Sequence, residues 1–212
     1  MTRPQGVDYS KTDIDPYGDR PGPWMQTITG RQFFPLDIRA EDLDIEDIAH
    51  ALGALCRYNG HTSGFYSVAE HCVLMTQHAF IEHRSWTPFK ERRAFLRSVL
   101  MHDAAEAYIG DYPHAIKKVV PGIKRLEGLI EDVLTRRYKL LTGPETKAAV
   151  KELDRRIVAN ERQALLPSDH PWVADAYKPL DVTIRCWDPA EAKRAFLDLY
   201  DQVKPNGGTN DD

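Results

Sequence analysis

The segment VLMHDAAEAYIGD, residues 99–111, combines an apolar run with side chains that can do acid–base or metal chemistry. His102 and Asp103 are adjacent, and Glu106 follows one helical turn later. Wound as a helix at about 100° per residue, the segment places Asp103 in the middle of an apolar face. A carboxylate on a dry face is costly unless a cation or strong donors compensate it. The sequence therefore predicts a partner for Asp103.

Two other helical segments also direct polar groups inward. In residues 144–166, Asp154 and Glu161 fall on the apolar stripe, and residues 68–83 can direct His71 inward. Two imidazoles and two carboxylates form a mixed nitrogen and oxygen set that suits Mn²⁺, Co²⁺, Zn²⁺, Fe²⁺ or Mg²⁺ and leaves room for water. An open position of this kind is what hydrolysis needs.

Each of these residues also has an ordinary structural interpretation. A single histidine on a helix is most often a hydrogen-bonded core or surface residue. An inward aspartate can cap a neighbouring helix or bind a buried arginine. Three helices that all carry inward polar groups are harder to explain in this way, but spacing alone leaves a metal site and a structural network both open.

Helical signals dominate the segments that must position these residues. Asp44 is a candidate N-cap, and Ser67 with Glu70 forms a capping box that begins a helix running into the low 80s. Further helices are predicted from about Pro88 to Ile109, from about 121 to 140, from Pro144 to Pro167, and from Pro189 onward. Strand signals are confined to QTITGRQFFPL and DVTIRCW. The fold class is therefore all-α, with an irregular or short-hairpin N-terminal segment.

Predicted helix 88–109 has one apolar face that should pack on the core. Its members are Phe89, Leu96, Val99, Leu100 and Ala107.

Composition and charge narrow the function classes. The chain has 212 residues, of which 42% are hydrophobic and 28% charged, which is ordinary for one globular domain. A formal net charge of -4 offers no broad positive surface, so we expect neither nucleic acid nor an anionic membrane as a partner. The N-terminal segment has no apolar run of the signal-peptide type, and no stretch approaches a membrane span. We therefore expect a cytoplasmic protein.

The chain divides into a flexible leader at 1–22, a single helical domain at 23–203 and a flexible tail at 204–212. The three cysteines are far apart and show no C-x-x-C spacing, which favours reduced thiols over disulfides or a zinc cluster. They are Cys56, Cys72 and Cys186. Helix faces left over after the core is built lead us to expect a homo-oligomer, a dimer or larger.

The order of the polar residues resembles a known family. His71, the adjacent His102-Asp103 and the distant Asp154 are similar to the H…HD…D signature of the HD-domain metal-dependent phosphohydrolases. RYNGHTSGFYSVAEHC resembles the family's arginine loop leading into SVAEH, and HDAAEAYIGDYP resembles the HDxxExxxGDxP stretch of bacterial 5'-deoxynucleotidases. WMQTITGRQFFPL resembles the N-terminal segment of a branch that includes phage-encoded deoxynucleoside triphosphohydrolases. The resemblance covers about residues 24–166 and implies a compact HD-domain helical bundle.

The resemblance implies a metal centre. One divalent metal ion, of the kinds named above, would be ligated by His71, His102, Asp103 and Asp154. Glu106 takes the position that serves acid–base work or orients the attacking water.

The resemblance also implies substrate contacts, and each has a structural alternative. Asp111 takes a position that contacts deoxyribose, and it is also a plausible turn residue after a glycine. Arg57 and Lys117 match phosphate-contacting positions, but the first can complement a helix dipole and the second can lie on a solvated face. Trp24 lies where an aromatic can stack on sugar or base, or it covers the core. His61 is a candidate substrate or second-metal contact, or a loop hydrogen-bonding residue.

The implied function is removal of phosphate from (deoxy)nucleoside 5'-monophosphates, so the expected partner is a small nucleotide. The alternative with the same metal set is a deoxynucleoside triphosphate triphosphohydrolase. A cyclic-nucleotide phosphodiesterase is disfavoured because such members generally use more metal ligands. From other classes, a non-catalytic nucleotide or metal sensor and a plain helical interaction domain stay open.

Overall fold

The computed structural model describes residues 20–85, 88–166 and 168–205. Within these ranges the chain forms eight α-helices: α1 (Ile45–Ala54), α2 (Val68–Glu82), α3 (Phe89–Leu100), α4 (Glu106–Ile109), α5 (His114–Val119), α6 (Pro121–Tyr138), α7 (Pro144–Leu165) and α8 (Pro189–Val203). An antiparallel hairpin of β1 (Met25–Gln26) and β2 (Gln32–Phe33) precedes them. The predicted all-α class with a short N-terminal hairpin is confirmed. Apart from 20–22 and 204–205, the predicted leader and tail lie outside the described residues.

Helix α2 is the central element of the domain. It packs against α1, α3, α7 and α8, and every residue from Val68 to Thr76 is buried. The surrounding core is aliphatic and aromatic, and its fully buried members include Ile48, Leu52, Val99, Leu100, Ile157 and Phe196. Burial of a side chain of this size stabilises a fold by roughly 1.5–3 kcal/mol. The polar side chains of α2 in this stretch are therefore held in the interior by apolar packing on several sides.

The first and last of the described helices pack closely on each other. A Cβ atom at Gly53 of α1 would lie 2.8 Å from the carbonyl oxygen of Pro189, at the start of α8. Real Cβ atoms do not approach backbone so closely, so only glycine permits this contact.

Helix starts were predicted well from local signals. The side chains of Asp44 and Ser67 accept hydrogen bonds from the backbone N–H groups of Glu46 and Glu70, as N-caps do. Asp188 caps α8 in the same way, and α7 and α8 both begin with proline.

The predicted capping box at the start of α2 is half wrong. The side chain of Glu70 does not reach back to its own helix start. Its carboxylate accepts hydrogen bonds from the backbone N–H groups of Arg185 (2.8 Å), Cys186 (3.1 Å) and Trp187 (2.7 Å). These donors belong to the segment predicted as the strand DVTIRCW, which forms no strand because its amides face this carboxylate.

The single predicted helix 88–109 is also wrong, because it breaks after Leu100. Residues 101–105 form tight turns, and α4 is a separate short helix. The side chain of His102 places Nδ1 2.8 Å from the carbonyl oxygen of Val99, the oxygen that Asp103 N–H would bind in a continuous α-helix. The break lies at the His102-Asp103 pair.

The predicted apolar face of this segment is correct only toward the break. Leu96, Val99 and Leu100 are buried, but Phe89 is 61% exposed. Phe89 lies in the first turn of α3, where the guanidinium of Arg93 lies 5.9 Å from its ring centroid.

Within the three described ranges, no helix has both the length and the apolar content that crossing a lipid bilayer requires.

Candidate metal centre

Three of the four predicted metal ligands converge on one nitrogen atom of the fourth, Nε2 of His71. His102 Nε2 lies 3.3 Å from it, Asp154 Oδ1 3.5 Å and Asp103 Oδ2 3.7 Å. One ligand atom from each of His71, His102 and Asp103 lies within 4.8 Å of the others. These four residues form the His–Asp cluster, contributed by α2, the turns after α3, and α7.

The hydrogen bonds of the two imidazoles fix their tautomers. Nδ1 of His71 donates to Glu161 Oε1 at 2.6 Å, and Nδ1 of His102 donates to the carbonyl oxygen of Val99 at 2.8 Å. In the neutral rings, both Nε2 atoms then carry lone pairs, and these face each other at 3.3 Å. Two opposed lone pairs beside carboxylates favour a cation between them. The donor set therefore fits a divalent ion.

The charges around the cluster also favour a positive centre. Burial would raise the pKa of Asp103, but His102, His71 and Arg57 outweigh it and hold that pKa well below its usual range. Burial would lower the pKa of His102, but Asp103 and Cys72 raise it well above its usual value. Without a metal ion, a proton bound to the cluster supplies part of the positive charge that balances the carboxylates.

Glu161 supports the cluster, and sequence reasoning did not include it in the site. Its side chain is fully buried on α7 and contacts His71 and Arg57. Burial opposes ionisation, yet Arg57 and His71 hold its pKa at about 2. The available signal was the position of this carboxylate on the apolar stripe of residues 144–166, which predicted an inward direction but no partner.

Arg57 links the cluster to the loop before α2. Its Nη1 lies 3.5 Å from Asp103 Oδ2, and its Nε lies 3.3 Å from Glu161 Oε1. The next two residues, Tyr58 and Asn59, have φ values of 57° and 52°, in the left-handed region that non-glycine residues rarely adopt. This turn lets the Tyr58 hydroxyl donate to Glu161 Oε2. Strained backbone of this kind is concentrated at functional sites.

Glu106 lies at the edge of the cluster and is 4% exposed. Lys117 Nζ donates to its Oε1 at 2.9 Å and to Glu127 Oε1 at 2.6 Å, so the predicted phosphate contact is held by two carboxylates. Burial, Asp103 and Asp111 raise the pKa of Glu106 to about 9, against the opposing effect of Lys117. Oε2 of Glu106 is buried and has no hydrogen-bond partner among the described residues.

Asp111 follows the turn at Gly110, whose φ of +89° favours glycine. Burial raises the pKa of Asp111 against the nearby charge of Arg57, which places this carboxylate within electrostatic reach of the cluster. The structure does not bring Trp24 to the site. It precedes β1, is 40% exposed, and lines neither of the two cavities described next.

One cavity is lined by residues of the cluster, and a second is lined by Tyr58, whose hydroxyl donates to Glu161. The lysine cavity, of about 640 Å³, is lined by His102 and Asp154 and by three lysines, Lys124, Lys147 and Lys151. The aromatic cavity, of about 590 Å³, is lined by Tyr58 and Trp172. The predicted contact His61 lines the aromatic cavity and is exposed.

Comparison with known proteins gives two relatives. The chain is 37% identical over 142 residues to the uncharacterized protein YfdR of Escherichia coli strain K12, a match that covers 67% of this chain and 72% of YfdR. It is 30% identical over 185 residues to the uncharacterized protein RCAP_rcc00048 of Rhodobacter capsulatus, covering 82% of this chain and 91% of that protein. No protein-family model matches the chain.

Proposed function

The chain belongs to the same family as YfdR and RCAP_rcc00048, and we propose that it is a metal-dependent phosphohydrolase that removes phosphate from (deoxy)nucleoside 5'-monophosphates. One observation carries the proposal: the Nε2 atoms of His71 and His102 lie 3.3 Å apart, with Asp154 Oδ1 3.5 Å from the first and Asp103 Oδ2 3.2 Å from the second. The order of these residues along the chain, which resembles the HD-domain signature, supports the same conclusion.

The His–Asp cluster would hold one divalent ion of the Mn²⁺, Co²⁺, Zn²⁺, Fe²⁺ or Mg²⁺ type. When bound, such an ion supplies Lewis-acid activation of water and of phosphoryl oxygens.

Arg57 supplies a fixed positive charge for the phosphate. Its side chain is 11% exposed, and its Nη1 lies 3.5 Å from Asp103 Oδ2. Burial would lower the pKa of Arg57, but Glu161 and other nearby groups raise it further above its already high value, so the charge is permanent. A guanidinium in this position offsets the negative charge that develops on the phosphoryl oxygens.

Glu106 would move the proton. Burial and the nearby carboxylates of Asp103 and Asp111 raise the pKa of Glu106, which favours a protonated side chain that would donate to the leaving 5'-oxygen as the phosphorus–oxygen bond breaks. The attacking water forms the new phosphorus–oxygen bond and returns a proton to the resulting Glu106 carboxylate. Lys117 holds the other oxygen, Oε1, in place at 2.9 Å.

The lysine cavity favours a second candidate, a deoxynucleoside triphosphate triphosphohydrolase. Its three lysines adjoin His102 and Asp154 and offer contacts for further phosphates. Glu131 and Asp132 also line the cavity, and with Asp154 they balance the three lysine charges. A triphosphate needs surroundings with a net positive charge, and the charges that line this cavity cancel. The monophosphate is therefore the leading proposal.

The test begins with metal-depleted protein resupplied separately with Mn²⁺, Co²⁺, Mg²⁺ and Zn²⁺. Nucleoside mono- and triphosphates are the substrates, Asp103→Ala is the inactive variant, and Asp198→Ala, an exposed carboxylate on α8, is the matched control. We expect metal-dependent release of inorganic phosphate that is lost only in Asp103→Ala. Release of tripolyphosphate would select the second candidate.

Nucleotide binding without turnover under any metal would point instead to a non-catalytic sensor. Failure of the wild-type chain to retain any metal ion in calorimetry would overturn the proposal.

A further inference from the structure

The aromatic cavity is built by three separate segments of the chain. The loop after Arg57 contributes Tyr58, the turn after Asp111 contributes Pro113, and the C-terminal end of α7 contributes Leu165. Trp172, seven residues beyond α7, closes the remaining side. The volume of about 590 Å³ lies within the range of roughly 300–1,000 Å³ that is usual for small-molecule pockets.

No residue of the His–Asp cluster lines the cavity, which is linked to the cluster through Tyr58 and its neighbour Arg57. Tyr58, which lines it, donates its hydroxyl hydrogen to Glu161, and Glu161 in turn holds His71. Arg57, one residue earlier, contacts Asp103. A phosphate placed at Arg57 and the cluster would therefore have the cavity as its neighbour on the Tyr58 side.

The chemistry of the walls suits a flat, uncharged ring. The Tyr58 and Trp172 ring centroids are 6.3 Å apart with an interplanar angle of 59°, so the two rings do not stack on each other. Neither lysine nor arginine is among the residues that line this cavity. The guanidinium of Arg162 lies 5.6 Å from the Trp172 ring centroid and that of Arg57 lies 5.4 Å from the Tyr58 ring centroid, so each ring already has a cation on one side. Aromatic side chains stack on the faces of all nucleobases, which supplies affinity without base preference.

Polar side chains at the rim provide hydrogen-bonding groups for the edge of a ring. They are His61, Thr62, Ser63 and Ser168. The Thr62 hydroxyl donates to the carbonyl oxygen of Gly64 at 2.7 Å and accepts from the Cys56 thiol at 3.7 Å, which leaves one oxygen lone pair to accept from a ligand.

We infer that the aromatic cavity is the nucleobase subsite of the site, with Trp172 as its stacking residue. The inference rests on the proposed function, because the phosphate at Arg57 and the His–Asp cluster fixes which part of the nucleotide reaches the cavity. It assigns base binding to a residue outside the segment 24–166 that resembles the HD-domain family, and it replaces Trp24 in the role that the sequence predicted for an aromatic side chain.

The experiment separates base binding from hydrolysis. Wild type, Trp172→Ala, Trp172→Phe and the control Phe89→Ala, an exposed aromatic on α3, are compared with the metal supplied. Turnover is measured with nucleoside 5'-monophosphates and with ribose 5-phosphate, which has no base. Binding of unphosphorylated nucleosides is measured in parallel by calorimetry.

We expect Trp172→Ala to raise the KM for nucleoside monophosphates and the Kd for nucleosides about tenfold or more. Trp172→Phe should recover most of this loss, and Phe89→Ala should behave as wild type. Turnover of ribose 5-phosphate should be the same in all four proteins. Loss of ribose 5-phosphate turnover in Trp172→Ala, or equal nucleoside affinity in Trp172→Ala and wild type, would overturn the subsite while leaving phosphohydrolase activity intact.

If the wild-type protein turns over neither substrate, the proposed function fails, and nucleoside binding alone then decides the subsite. Nucleoside affinity that depends on Trp172 would still support it. Absence of nucleoside binding to wild type would overturn it.

Discussion

Oε1 of Glu161 lies 2.6 Å from Nδ1 of His71, and both side chains are completely buried. The pair fixes the His71 tautomer and orients its Nε2 toward the three other cluster residues. A carboxylate in this position acts on a bound ion through the histidine without being a ligand itself. The geometry of the His–Asp cluster therefore depends on a residue outside the four-residue signature.

Substitution of Glu161 should weaken metal binding. Glu161→Gln can still accept the His71 hydrogen bond but loses the negative charge, so we expect about a tenfold lower affinity for Mn²⁺, within the range of about 10–100-fold usual for such partners. Calorimetric titration of the metal-depleted protein measures the change. Glu152→Gln, an exposed residue on the same helix, is the control. Equal affinities for Mn²⁺ in Glu161→Gln and wild type would contradict the supporting role.

The metal-free protein should lose stability as the pH rises, in part through Glu106. Its pKa is about 9 in the folded protein and near 4.5 in the unfolded chain, so the folded state binds the proton more tightly. The free energy that this tighter proton binding adds to folding is fully present below about pH 4.5 and is lost as the pH rises toward 9. Between pH 6 and 8 we expect Glu106→Gln to reduce this loss by roughly 1 kcal/mol per pH unit.

Urea denaturation at several pH values measures how the free energy of unfolding changes with pH in wild type and in Glu106→Gln. Glu145→Gln, an exposed carboxylate in the first turn of α7, should keep the wild-type slope. Parallel pH profiles for wild type and Glu106→Gln would show that Glu106 is already ionised in the folded protein.

Removal of the Arg57 guanidinium should destabilise the fold. Arg57→Ala leaves the carboxylates of Asp103 and Glu161 without their shared cation, and breaking a buried ion pair costs about 3–5 kcal/mol. Chemical denaturation of the metal-free protein measures the loss, with the exposed Arg136→Ala as control. A bound divalent ion replaces part of the missing charge, so the loss should be smaller in Mn²⁺ than in chelator. An identical loss in both conditions would argue against a shared centre.

Glu70 should anchor the segment before α8. Glu70→Ala removes the acceptor of three backbone N–H groups at 185–187, and each buried donor left unsatisfied costs about 1–3 kcal/mol. We expect lower stability and faster hydrogen exchange at these three amides. Hydrogen exchange followed residue by residue tests this, because a general loss of stability would speed exchange across α2 and α8 alike. Slow exchange at 185–187 in the variant would rule the anchor out.

Helix starts could be predicted because their determinants are local. Asp44, Ser67 and Asp188 each cap the backbone within three residues, and Pro144 and Pro189 can occupy only the first turn of a helix. The inward direction of His71 followed from helical periodicity in the same way, whereas Asp154, predicted on the same grounds, has a side chain that is 41% exposed.

The remaining features depend on contacts that periodicity does not encode. Apolar residues on the two sides of the break after Leu100 keep roughly the spacing that they would have in one helix. A straight helix and a broken one therefore give nearly the same apolar pattern in the sequence. Glu70 finds its partners 115 to 117 residues later. Trp172 approaches Tyr58 from beyond α7, and no sequence pattern connects these two residues.

The packing of α8 against α1 and α2 has a consequence for synthesis of the protein on the ribosome. Until residues 185–203 have emerged, α1 has no cover for part of its apolar face, and the Glu70 carboxylate has none of its three backbone donors. The residues of the His–Asp cluster are thus all translated before the helix that completes the core around them. Such late, long-range closure slows folding and exposes apolar surface in the nascent chain. Chaperone engagement should therefore fall sharply once α8 has been made.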